Sequence, residues 1–188
     1  MSKAVIIDQR EIQRLGGVCA RFPVSCLIRQ LLDEAGLLKP FSKIKVLDLT
    51  YGEGRFWPAL PQAEVWGFDV QRLRWVRQPQ RFYQKSCEHW KKLVADQDFD
   101  LVVADPPFIA YKRGWEMRKH YYLTAAIPTI LNEARKAARH FNAYLLVHFM
   151  WRAQPFGFEI ITEAWFSGWG RYAKVNVPSW FGVMKYTP

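Results

Sequence analysis

The run Phe99-Asp100-Leu101-Val102-Val103-Ala104 is nearly all apolar and is closed by Asp105-Pro106-Pro107-Phe108. A short continuous apolar run reads as a strand covered on both faces, and such strands belong to parallel sheets flanked by helices. The ligands of open sheets of that kind gather at the carboxyl ends of the strands. There the chain presents a carboxylate, a rigid bend and an aromatic ring together. Pro106 has a fixed φ and lacks an N–H, and Pro107 pushes it away from the helical region, so the Pro106 carbonyl is expected to face outward as an acceptor. That arrangement suits an amino group carried on a planar ring. The other reading is a turn that ends a strand, since aspartate and proline are ordinary turn formers.

A second segment, Ile44-Lys-Val-Leu-Asp48-Leu-Thr50-Tyr-Gly52-Glu-Gly54, reads as a strand running into a glycine-rich turn. Gly52 and Gly54 allow backbone to approach a ligand, with Asp48 and Thr50 beside them. A dinucleotide fingerprint would need a small residue at position 57, which is Trp57, and no Gly-Lys-Ser/Thr follows, which excludes a P-loop. An acid beside glycines without those features suits a cationic ligand. The next strand, Glu64 to Val70, carries Asp69, 15 residues after Gly54, where nucleoside-binding sheets place the acid that takes the ribose hydroxyls. Strand, glycine turn, helix, strand and acid are expected in that order, with Ser86 or Cys87 near the end of the following strand around Arg81 to Lys85.

Elsewhere, Ser25 to Ala35 has helical periodicity stopped by Gly36 and Pro40, and Phe22-Pro23 makes a corner before it. This corner reads equally as a cover for the sheet edge or as a hydrophobic staple. A helix is expected from Thr124 to His140, with Pro128 near its first turn, then a strand from Ala143 to Phe149. His148 on that strand reads as a core histidine that could approach the site. Closing strands follow Glu159. The 188 residues fit one domain: a helical lead-in over 1–41, a core over 42–149 and closing strands over 150–188. No apolar stretch is long enough to span a membrane and no secretory leader is evident, so an intracellular, cytoplasmic protein is expected. Cys19, Cys26 and Cys87 lack metal-site spacing and are expected as thiols, with no metal site.

The formal net charge is +10, which points to a polyanionic partner, nucleic acid first. Arginine and lysine alternate with aromatics between Gln71 and Lys92, and Arg74, Arg77 and Arg81 are the candidate phosphate contacts. Tyr111, Lys112, Arg113 and Trp115 form a candidate substrate clamp after Phe108.

With Asp48-Leu-Thr-Tyr-Gly-Glu-Gly54, Asp69 and Asp105-Pro-Pro-Phe108 in this order, the chain resembles the class I S-adenosylmethionine-dependent methyltransferases that act on exocyclic amino groups of bases, over roughly Phe22 to Phe149. The resemblance implies an α/β, single-domain, Rossmann-like fold: a mostly parallel seven-stranded sheet with helices on both faces and an antiparallel last strand. It implies S-adenosylmethionine as cofactor, held by Asp48, Thr50, Gly52, Gly54 and Asp69, with Phe22 and Ser86 as further contacts. Asp105, Pro106, Pro107 and Phe108 would form the catalytic tetrapeptide. The third strand lacks the family's usual adenine-binding acid, and both adenine N6 and cytosine N4 fit the motif. A separate DNA-recognition domain has no room here, so RNA, ribosomal RNA above all, is expected as substrate, with a ribosomal subunit or an activating protein as possible partner. DNA is the alternative substrate, and a non-catalytic RNA-binding subunit is the alternative from another class.

Overall fold

The computed structural model describes residues 5–106, 123–167 and 178–188. Eight strands form one sheet: β1 (Val5–Asp8), β2 (Ile44–Asp48), β3 (Ala63–Phe68), β4 (Arg81–Tyr83), β5 (Leu101–Ala104), β6 (Tyr144–Phe149), β7 (Phe158–Ser167) and β8 (Ser179–Tyr186). Their order is β1-β7-β8-β6-β5-β2-β3-β4, and only β8 runs against its neighbours. The mostly parallel sheet and antiparallel last strand are as expected, but the described residues form eight strands rather than seven. The addition, β1, falls in the segment read as helical. Four residues are too few to show periodicity, and pairing with the distant β7 is what makes them a strand.

Among the described residues, five helices accompany the sheet: α1 (Gln9–Gln13), α2 (Gly17–Arg21), α3 (Pro23–Glu34), α4 (Trp90–Val94) and α5 (Leu123–His140). Pro23 starts α3 at a first-turn position, where its missing N–H costs nothing. Leu27, Ile28, Leu31 and Leu32 then share one buried face, which packs with Val46, Val103, Phe181 and Val183 on one side of the sheet. Gly36, at φ +72°, ends the helix, with Leu37 N–H returning to the Leu32 carbonyl at 2.9 Å. On the opposite side, Ala134, Ala137 and Ala138 of α5 pack with Leu47, Val102, Leu145 and Trp90. Pro128 lies inside α5, just past its first turn.

The helix expected between the glycine turn and β3 is absent. Residues 55–62 carry Pro58 and Pro61, which remove two N–H donors and block helical carbonyl positions, so the segment forms turns instead. Trp57 N–H reaches the Gly54 carbonyl at 3.4 Å and Leu60 N–H the Trp57 carbonyl at 3.0 Å.

Cys19 on α2 and Cys26 on α3 form a disulfide, with Cα atoms 5.6 Å apart, correcting the expectation of thiols. The partners meet because the Phe22-Pro23 corner folds the two helices back on each other, which spacing alone does not reveal. Closing so short a loop stabilises by about 2 kcal/mol. The Cys19→Ser, Cys26→Ser double variant should lose about that much in urea denaturation, and an unchanged midpoint would mean that packing alone holds α2. Cys87 remains a buried thiol, pushed up to about 11 by burial, which suits a packing role. No helix among the described residues is long and apolar enough to cross a membrane, and no cluster among them could hold a metal ion.

Candidate active site

Strands β5, β2 and β3 are neighbours, so their carboxyl ends emerge side by side. Asp48 pairs in register with Val103 of β5 and Gly67 of β3. Asp105 and Asp69 each follow two residues beyond those partners. Three carboxylates from distant parts of the chain thus share one edge.

Asp48 is 2% exposed. Thr50 N–H donates to its Oδ1 at 3.0 Å and the Trp57 indole N–H to its Oδ2 at 2.9 Å. Burial, reinforced by the charges of Asp105 and Asp69, overrides these two donors and raises its pKa from 3.8 to about 7. Asp69 accepts from Gly52 N–H and Gln71 N–H, both at 2.9 Å. The glycine turn is therefore tied to the neighbouring strand by the acid read as the ribose ligand.

The two glycines of that turn do different jobs. Gly52 has φ +56°, and a Cβ there would meet nothing closer than 3.8 Å, so its surroundings are open to a ligand. Gly54 has φ +71°, and a Cβ there would lie 2.6 Å from the Tyr51 hydroxyl oxygen and 2.7 Å from the Arg77 carbonyl. Gly54 makes room for a packed tyrosine. The Tyr51 ring is buried against Gly67, and its hydroxyl donates to the Arg77 carbonyl. Burial keeps that phenol protonated by raising its pKa.

Asp105 is fixed from two sides. Its N–H donates to the Thr50 hydroxyl at 2.7 Å, and its Oδ1 lies 2.8 Å from His148 Nδ1. Ala104 pairs with Val147, so the next residues, Asp105 and His148, stand opposite each other. His148 is fully buried, with its ring stacked on Phe181 at 3.9 Å and 10°. The core-histidine reading and the approach to the site both hold. Only the alignment of β5 with β6 reveals the contact. Pro106 is buried directly after Asp105, while Pro107, Phe108, Tyr111, Lys112, Arg113 and Trp115 lie outside the described residues.

The remaining sequence-derived residues fall elsewhere. Ser86 precedes the 3₁₀ turn Cys87–His89, and its hydroxyl donates to Glu88 at 3.1 Å. Arg77 turns inward: its guanidinium donates to the carbonyls of Trp57, Ala63, Pro61 and Leu60, at 2.6, 2.7 and 3.2 Å for the first three. Four of its five donors hold the loop after the glycine turn, a structural role that its reading as a phosphate contact did not include. Arg81, on the edge strand β4, lies over Trp66 with its guanidinium carbon 4.2 Å from the ring centre. Arg74 is exposed. Sequence reasoning missed Trp57 and Tyr51 as parts of the site's frame; their adjacency to the glycines was the available signal.

Phe22 is half-buried at the start of α3 and borders an open cleft of about 630 Å³. Arg21, Glu53, Arg55, Pro58, Arg74, Trp75 and Val76 line it too, together with Arg77. None of the three aspartates lines this cleft.

No family model matches the chain, and no curated protein matches it in sequence. Solved structures do match in fold. An rRNA methylase from Streptococcus thermophilus is 12% identical with a TM-score of 0.53, over 85% of this chain and 95% of that one. Magnesium protoporphyrin IX methyltransferase from Synechocystis PCC 6803, solved with bound SAM, is 15% identical with a TM-score of 0.53, over 95% of this chain and 84% of that one. TehB from Haemophilus influenzae is 13% identical with a TM-score of 0.52, over 85% of this chain and 62% of that one. The chain has the Rossmann-like fold of the class I S-adenosylmethionine-dependent methyltransferases.

Proposed function

We propose that the protein transfers a methyl group from S-adenosylmethionine to the exocyclic amino group of an adenine or cytosine in RNA, with ribosomal RNA the favoured substrate. The observation that carries this reading is Asp105, held by Thr50 and His148 at the end of β5, beside the carboxylates of Asp48 and Asp69. Three acids around an open glycine turn fit a ligand that is cationic at one end and bears ribose hydroxyls at the other. When bound, S-adenosylmethionine supplies an electrophilic methyl group on a sulfonium. Asp48 and the Gly52 backbone would hold its methionine part, and Asp69 its ribose.

An exocyclic amine is a weak nucleophile because its lone pair is delocalised into the ring. The Asp105 carboxylate accepts a hydrogen bond from that amine, and the Pro106 carbonyl can accept a second. Together they favour a tetrahedral nitrogen and stabilise the positive charge that grows as its new bond forms. His148 occupies one side of the carboxylate and restricts its rotation. Phe108 would stack on the base, which must be unpaired or flipped out to reach the site. Mass spectrometry of nucleosides from ribosomal RNA and DNA, after incubation with labelled S-adenosylmethionine, tests the reading. Label on an amino-methylated RNA base is the expected result, and label on neither polymer would overturn it.

The raised pKa of Asp48 gives a pH dependence. The folded protein keeps a proton on Asp48 that the unfolded chain releases near 4, so this group's contribution to stability falls as pH rises from about 4 to about 7. A cationic ligand competes with that proton. Affinity for S-adenosylmethionine should therefore rise up to about tenfold per unit as pH approaches 7, then level off. Calorimetry between pH 5.5 and 8.5 checks this, and Asp48→Asn should flatten the profile.

A further inference from the structure

The cleft beside the glycine turn has the wrong sign for the cofactor's methionine end. Four arginines, Arg21, Arg55, Arg74 and Arg77, line it against the single carboxylate of Glu53. A sulfonium and an ammonium would be repelled there, whereas an anion would be attracted. Arg55 pairs with Glu53 at 2.5 Å, but both side chains are partly exposed, so the pair is weak and easily exchanged. Arg21 and Arg74 are exposed and make no ion pair among the described residues.

Two aromatic residues lie among these charges. Phe22 carries the Arg21 guanidinium 5.6 Å from its ring centre, and Trp75 carries that of Arg72 at 5.0 Å. The Trp75 indole N–H is buried without an acceptor among the described residues. The walls are anchored. The Cys19–Cys26 disulfide brackets Arg21 and Phe22, and Val76 N–H bonds the Glu53 carbonyl at 2.8 Å. The inward grip of Arg77 holds the floor. On the other side of the same turn, Gly52 N–H bonds Asp69, so a single turn of backbone separates the cleft from the acidic cluster.

We propose that this cleft binds the sugar–phosphate backbone of the substrate RNA next to the target nucleotide, with Arg21, Arg55 and Arg74 on phosphates and Phe22 and Trp75 against an unstacked base. This deepens the proposed function and rests on its RNA reading. Alternating cations and aromatic faces are what a single-stranded nucleic acid requires, and a free small anion would not use the rings. The polarity is consistent with the division of labour: acids hold the cationic donor, arginines the anionic acceptor.

The test compares wild type with the Arg21→Gln, Arg55→Gln, Arg74→Gln triple variant. Affinity for a fluorescein-labelled single-stranded RNA of mixed sequence is measured against salt concentration, beside calorimetric S-adenosylmethionine binding and methyl transfer to ribosomal RNA. The salt slope should drop by about 2, at roughly 0.7 for each lost phosphate contact, with cofactor affinity unchanged. An unchanged slope in a variant that still methylates RNA would overturn the cleft assignment and leave the proposed function standing. A tenfold loss of cofactor affinity at constant slope would assign the cleft to the cofactor and overturn it as well. A wild-type protein without salt-dependent RNA affinity would sink both readings.

Discussion

Asp105→Ala should lower methyl-transfer turnover by about 100-fold or more while binding S-adenosylmethionine and RNA near wild-type affinity. In the proposed reaction the carboxylate would act on charge that exists only as the amine becomes positive, so its loss would fall on kcat and not on ground-state binding. Asp105→Asn should lie between the two, because an amide oxygen still accepts a hydrogen bond without carrying charge. His148 gives a related expectation. Removing a fully buried ring that is stacked on Phe181 and bonded to Asp105 leaves a cavity, so His148→Ala should reduce both stability and turnover. His148→Asn retains a donor near Asp105 and should recover part of the turnover. Single-turnover methyl transfer beside equilibrium binding separates these outcomes. Wild-type turnover in Asp105→Ala would reduce the tetrapeptide to a strand-ending turn.

Arg77→Ala should cost about 2 to 4 kcal/mol of folding stability in urea denaturation and weaken S-adenosylmethionine binding about tenfold. One guanidinium donates to four backbone carbonyls across residues 57–63, and bonds from a charged donor contribute more than neutral ones. Its removal leaves those carbonyls unpaired and frees the loop that carries Trp57, the donor to Asp48. Arg77→Lys decides between structural and phosphate-binding roles. Lysine keeps the charge but loses the planar fork, so it should be nearly as destabilising as alanine, with the RNA salt slope unaltered. A Lys variant of wild-type stability would show that charge, not the carbonyl clamp, is what position 77 supplies.

Strand positions were legible in the sequence wherever burial on both faces made the run mostly apolar, as in β2, β5 and β6. The order of Asp48, Asp69 and Asp105 at strand ends was legible too, because a parallel sheet puts successive carboxyl ends on one edge. The helix expected after the glycine turn does not form, because Pro58 and Pro61 remove N–H groups it would need. β1 was hidden because its four residues become a strand only through pairing with β7.

By itself, then, the sequence determined the local chemistry: which residues are acidic at strand ends, which glycines can take positive φ, where prolines stop helices, and that the chain carries a large positive charge. Only the tertiary structure decided the partners. Charge along the chain cannot tell an arginine that reaches solvent from one whose fork is satisfied by carbonyls 14 to 20 residues away, and so the carbonyl clamp of Arg77 was not legible in the sequence. Spacing cannot tell a thiol from a disulfide formed where two helices fold around Phe22-Pro23. The His148 contact to Asp105 depends on the register of two strands 43 residues apart, a long-range alignment that no local pattern encodes.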